Sequence, residues 1–216
     1  MIRGALLASV AGLLGAPALA GAQSLPDFRV DVQALSGPER RAMTPSAWRP
    51  GCPVGLSELR RIRALHVGFG GRARWGTLVV HRDAVRAVVP VLRQAYRSRF
   101  PIRKMIPIER YGGSDDRSVA ADNTSAFNCR FVAGTRRWSQ HAFGRAIDIN
   151  PIENPYVVPG RAVPRRSRAY LDRARVRPGM LVEGGAVVRR FDAAGWGWGG
   201  RWRGVKDYQH FSSTGR

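Results

Sequence analysis

Two histidines and two aspartates carry the spacing from which chemistry can be read. His141 and Asp148 lie seven positions apart in residues 139–150, with Gly144 between them, and Asp207 precedes His210 by three. Two imidazoles and one carboxylate can hold a zinc ion and leave its fourth position open to water. His141, Asp148 and His210 supply that set. Asp207 is then placed to accept the proton of the water. An isolated HxxxxxxD is a weak signal, because it arises by chance in many chains. Joined to DxxH and to an export segment, it becomes a strong one.

Such a site needs elements that aim its ligands. Residues 146–150, Ala-Ile-Asp-Ile-Asn, alternate as a strand, so Asp148 points away from the face of Ile147 and Ile149. A carboxylate on that face needs a partner, and a cation satisfies it. Gly144 lets the chain turn and bring the His141 imidazole back over the strand. Asp207 and His210 would face opposite sides of an uninterrupted strand, so a turn at Asp207 is required. His66, in a strand, and His81, at a helix start, read as packed residues.

The remaining chain reads as a scaffold. Residues 62–69 and 76–80 form a hairpin about the turn at 69–72. A helix over 82–97 puts Val85, Val88, Val89, Leu92 and Tyr96 on one face, and Pro101 ends it. Residues 105–108 read as a short strand, 111–130 as a long polar loop, and 151–168 as an irregular surface insertion. Further helices are expected at 167–175 and 185–194, with Gly195 closing the second. Residues 23–54 read as an extended N-terminal arm, and 55–216 as the catalytic domain.

Charge and export narrow the partners. The chain carries 36 basic and 15 acidic side chains, a formal charge of +21. Such a field attracts polyanions, nucleic acid among them. The N-terminus argues otherwise: Met1-Ile2-Arg3, an apolar run and the small residues Ala18, Ala20 and Ala22 read as a signal peptide over 1–22. An exported chain meets the carboxylates and phosphates of the cell wall first, so anionic wall polymers are expected partners, with no nucleic acid and no membrane anchor after cleavage. Most arginines, including those of 161–177, read as a solvated face. Cys52 and Cys129 belong in an oxidising compartment and are expected to pair.

Ser139-x-His141-x-x-Gly144-x-Ala146-x-Asp148, then Trp198-Gly199-Gly200-x-Trp202 and Asp207-x-x-His210-Phe211, resembles the M15 family of zinc peptidases. The resemblance spans roughly residues 60–212 and implies a small α+β domain, hedgehog-like, whose antiparallel sheet cradles zinc between flanking helices. It implies peptidoglycan stem peptides as substrate. The activity it implies is that of a D-alanyl-D-alanine carboxypeptidase or, alternatively, an L-alanyl-D-glutamate endopeptidase; a non-catalytic wall-binding module is the rival. Family roles fall on His141, Asp148 and His210 as ligands and Asp207 as base. An upstream arginine is implied to grip the substrate carboxylate, Arg130 or Arg117, with Arg130 favoured because it adjoins Cys129. Ser139 is expected to support the site by a hydrogen bond. The chain departs from the family in having Asp207 where many carboxypeptidases have Glu, and Arg201 where Asp is frequent.

Overall fold

A computed structural model describes Met1 and residues 24–216; the signal peptide expected over 1–22 lies outside the described residues, Met1 apart. Mixed helix and sheet form a small domain with three antiparallel three-stranded sheets. The first joins β1 (Val30–Ala34), β2 (Leu59–Val67) and β3 (Ala73–His81) in that order. β2 and β3 form the expected hairpin, in register from Leu59 opposite His81 to Val67 opposite Ala73. The apolar residues Ile62, Ala64, Leu78 and Val80 alternate along it and are all buried.

The N-terminal segment is not an extended arm. Val30 to Ala34 pair with β2 from Ala64 to Arg60, covering an edge that would otherwise be open. α1 (Gly37–Met43) follows, capped by Ser36, which accepts from the Glu39 amide while Glu39 reaches back to the Ser36 amide. Leu35, Met43 and Ala47 are buried in a second core with Leu59, Ile108 and Phe127. Burial of these side chains offsets the entropy of ordering a segment whose composition is that of a loop.

α2 (Val85–Arg97) follows a single turn of 3-10 helix over Arg82–Ala84. It buries Val88, Val91, Leu92 and Tyr96, and packs against β2 and α4 (Ala186–Asp192). Between them lie β4 (Lys104–Met105), α3 (Asp115–Ala120) and β5 (Asn123–Thr124); β4 and β5 pair in parallel. The expected strand over 105–108 is thus shorter and earlier, since Pro107 precedes a 3-10 turn at Ile108.

The sheet that carries the site has β11 (His210–Ser212) at its centre, flanked by β6 (Ala146–Asp148) and β9 (Gly197–Trp198). Phe211 turns its ring into the core, stacked on Phe191 of α4 at 3.9 Å between centroids. A third sheet, β10 (Lys206–Asp207), β7 (Tyr156–Val158) and β8 (Arg161–Val163), is formed largely by the segment expected to be irregular. The helix expected at 167–175 is instead a 3-10 turn over Arg165–Tyr170. Cys52 and Cys129 are joined, as expected, across a separation of 77 residues. No helix among the described residues is long and apolar enough to cross a membrane.

Candidate metal centre

His210 and Asp148 face each other directly across the β6–β11 ladder. Opposed residues share one side of a sheet, so both side chains leave the side opposite Ile147 and Phe211. His141 comes from outside the sheet, on a 3-10 turn over Gln140–Phe143. Gly144 ends that turn at φ 64°, where a Cβ would also meet the His81 amide nitrogen at 2.5 Å. A side chain at 144 would be strained and would push the hairpin away. The glycine therefore sets the angle at which His141 approaches.

His141 Nε2 stands 3.2 Å from the Asp148 carboxylate and 3.3 Å from His210 Nδ1, which is 3.0 Å from Asp148. Tetrahedral zinc with bonds of about 2.0–2.1 Å separates its ligand atoms by about 3.3 Å. The triad thus has the spacing of a zinc site. It is the one group of three or more such ligands among the described residues. His141 Nδ1 lies 2.5 Å from the Ala126 carbonyl, to which it donates as N–H, turning the Nε2 lone pair toward Asp148. His210 Nε2 and Asp207 Oδ1 are sealed from solvent without a hydrogen-bond partner. His210 turns Nδ1, not the orphan Nε2, to the cluster, so it is the Asp207 oxygen that suits a reaction site beside a bound cation. His66 and His81 lie outside the group, as expected.

The charges in this region act strongly on one another. Burial alone would raise the Asp148 pKa, but His141 and His210 overcome it and hold the carboxyl well below the usual carboxylate range. Burial would lower the His210 pKa, yet its hydrogen bond to Asp148 raises it. Asp207 is pushed up to about 7, first by burial and then by the negative charge of Asp148. The turn expected at Asp207 falls just beyond it, at Tyr208 and Gln209, between β10 and β11. Gly199 holds the strand from behind: a Cβ there would meet the Asp207 carbonyl oxygen at 2.5 Å and the Asp207 Cβ at 2.9 Å.

The other expected site residues fall in different places. Ser139 is buried and its hydroxyl accepts from the His141 amide at 3.3 Å, capping the ligand turn. That bond orients the His141 turn from within the fold. Arg130 lies on the segment leading into that turn, its carbonyl accepting from the Ser139 amide, and its guanidinium pairs with Asp115 at 3.1 Å. Arg117 folds back, donating from Nε and Nη2 to the Tyr111 carbonyl at 2.8 and 2.6 Å. Arg201 is bound to both Glu183 and Asp192.

Sequence reasoning missed two supports. The Ala126 carbonyl is backbone, and no residue type marks it. Arg173, assigned to a solvated face, donates to the carbonyls of Glu153 and Leu181 and lies 4.3 Å over the Tyr208 ring, next to Asp207.

Residues 133–213 match the family model of the M15 peptidases described as D-alanyl-D-alanine carboxypeptidase. The match contains His141, Asp148, Asp207 and His210, and it bears out the M15 resemblance over that segment. Arg117 and Arg130 lie before it. No curated protein and no solved structure matches the chain.

Proposed function

We propose that the chain is a secreted zinc metallopeptidase that removes the terminal D-alanine from peptidoglycan stem peptides. The carrying observation is the convergence of His141, Asp148 and His210 at zinc-site spacing, with the unpartnered Asp207 Oδ1 nearby. Zinc, when bound, supplies Lewis-acid polarisation of a carbonyl and activation of water. The protein's own work is orientation and proton transfer. Ala126 and Ser139 fix the first imidazole, and the β6–β11 ladder fixes the second imidazole against the carboxylate. Asp207, with a pKa raised toward neutrality, accepts the proton of the attacking water and returns it to the leaving amine. Arg130 grips the substrate carboxylate from the segment that Cys129 anchors.

Export is supported by the apolar segment after Arg3 and by the disulfide. The alternative, L-alanyl-D-glutamate endopeptidase activity, draws on aspartate rather than glutamate as base. Digestion of purified muropeptides with mass detection separates the two. Loss of one D-alanine is expected; cleavage after L-alanine would assign the endopeptidase, and no cleavage by zinc-loaded protein would refute both.

A further inference from the structure

Between the first turn of α2 and the last turn of α4 lies an open cleft of about 610 Å³. None of the metal-centre residues lines it. Small residues line it, Ala84 just before α2, Ala87 within it, and Ala193 and Gly195 beyond α4, together with the buried Trp196 and several long side chains. Three of those are arginines: Arg86 from α2, Arg190 from α4, and Arg145 from the link between Gly144 and β6.

One carboxylate opposes them. Asp83 accepts from Arg145 Nη2 at 3.2 Å, which holds that guanidinium at the cleft. Neither Arg86 nor Arg190 takes part in an ion pair among the described residues. The neighbouring Arg189 turns back to the Gly184 carbonyl, so Arg190 alone of that pair lines the space. Three guanidiniums against one carboxylate leave a surplus of two positive charges in a concave site.

We infer that this cleft is a second binding site, one that takes a phosphomonoester. A terminal phosphate carries about −1.5 to −2 charges near neutral pH and three acceptor oxygens, matching the surplus charge and the number of forks. A carboxylate offers half the charge and two oxygens. Guanidinium forks bind phosphate oxygens in pairs, and a partly enclosed site strengthens each contact over one on an open surface. The inference stands apart from the peptidase reading, since binding is read without turnover.

The test is calorimetric titration at physiological salt with glycerol 3-phosphate, and co-sedimentation with vesicles containing phosphatidic acid. The double variant Arg86→Gln/Arg190→Gln is compared with Arg168→Gln/Arg175→Gln, which removes equal charge from exposed positions elsewhere. Saturable binding of the soluble ester, weakened about tenfold or more in the first variant and less than about threefold in the second, supports the site. Binding confined to the vesicles, with the same dependence on the two variants, supports it with a lipid headgroup as source. Equal weakening in both variants reduces the effect to the general field of the protein and overturns the inference, as does the absence of saturable binding. Muropeptide hydrolysis by the first variant should stay at the wild-type rate.

Discussion

Gly199→Ala should damage catalysis without touching any of the three metal-binding side chains. The glycine sits where β9 leads into a 3-10 turn, and its φ is not in the left-handed region, so alanine suits its backbone. Space is what forbids it. The added methyl would lie 2.5 Å from the Asp207 carbonyl oxygen and 2.9 Å from its Cβ. Ordinary contact begins near 3.4 Å, so β10 must retreat by about 0.9 Å. Overpacking of this kind costs about 1–3 kcal/mol of stability. A misplacement of about 1 Å costs on the order of a hundredfold in rate. Since Asp207 moves and the triad does not, metal content and substrate affinity should hold while kcat falls. The assay is kcat and KM on a purified muropeptide, with metal quantified by mass spectrometry. Gly70→Ala is the control, because nothing lies within 4 Å of a Cβ at that hairpin turn and its φ is unrestricted. Unchanged kcat in Gly199→Ala would refute both the role of Asp207 and the close approach as its cause.

Four further outcomes are expected. Asp207→Asn should bind metal as the wild type does but lose about 10²–10⁴ in turnover, measured on the same muropeptide. Chelation should lower the melting temperature, and re-addition of zinc at about a hundredfold over its Kd should restore about 3 kcal/mol, read by calorimetry. Glu153, fully buried between Asp122 and Arg103, has its pKa raised to about 7, first by burial and then by Asp122. Its neutral form is the one the fold favours, so stability is fully present below pH 4.5 and falls as pH rises through 7, by about 3 kcal/mol in all. Denaturant melts of Glu153→Gln across that window should be nearly flat; an unchanged slope refutes the assignment. Replacing Cys52 and Cys129 by alanine should cost about 4 kcal/mol in the same melts, as the loop they close spans 77 residues.

What could be read from the sequence was the chemistry whose residue types are scarce. His141, Asp148 and His210 stood out because histidines are few here, and the Ile-Asp-Ile alternation gave Asp148 its face before any fold was known. The hairpin and α2 were legible for the same reason, each having an unbroken period. The N-terminal segment was not, because Val30 to Ala34 become a strand only when β2 is present to pair with them. Its one local clue, Ser36 three before Glu39 with Pro38 between, marks a helix start that composition obscured. Between the two candidate arginines the sequence favoured Arg130 only through its neighbour Cys129. They share a charge but not an element: Arg117 lies in α3 and binds the Tyr111 carbonyl, whereas Arg130 leads into the His141 turn and pairs with Asp115.

The pairing of β6 with β11 has a consequence for how such a protein can change. Asp148 and His210 are neighbours in space yet 62 positions apart in the chain. Apart from Asp207 and Gly199, the proton acceptor and the glycine behind it, the segment between them is a closed loop whose ends the ladder already holds. Doubling a flexible loop costs only about 0.6 kcal/mol in closure entropy. The length and composition of residues 159–160, the β7–β8 turn, can therefore change while the ligand geometry stays put. The constraint tightens where Arg173 reaches back to Tyr208. The triad is thus insulated from that turn, and what links the two is the pairing of β7 with β10 and the seat of Arg173 on Tyr208.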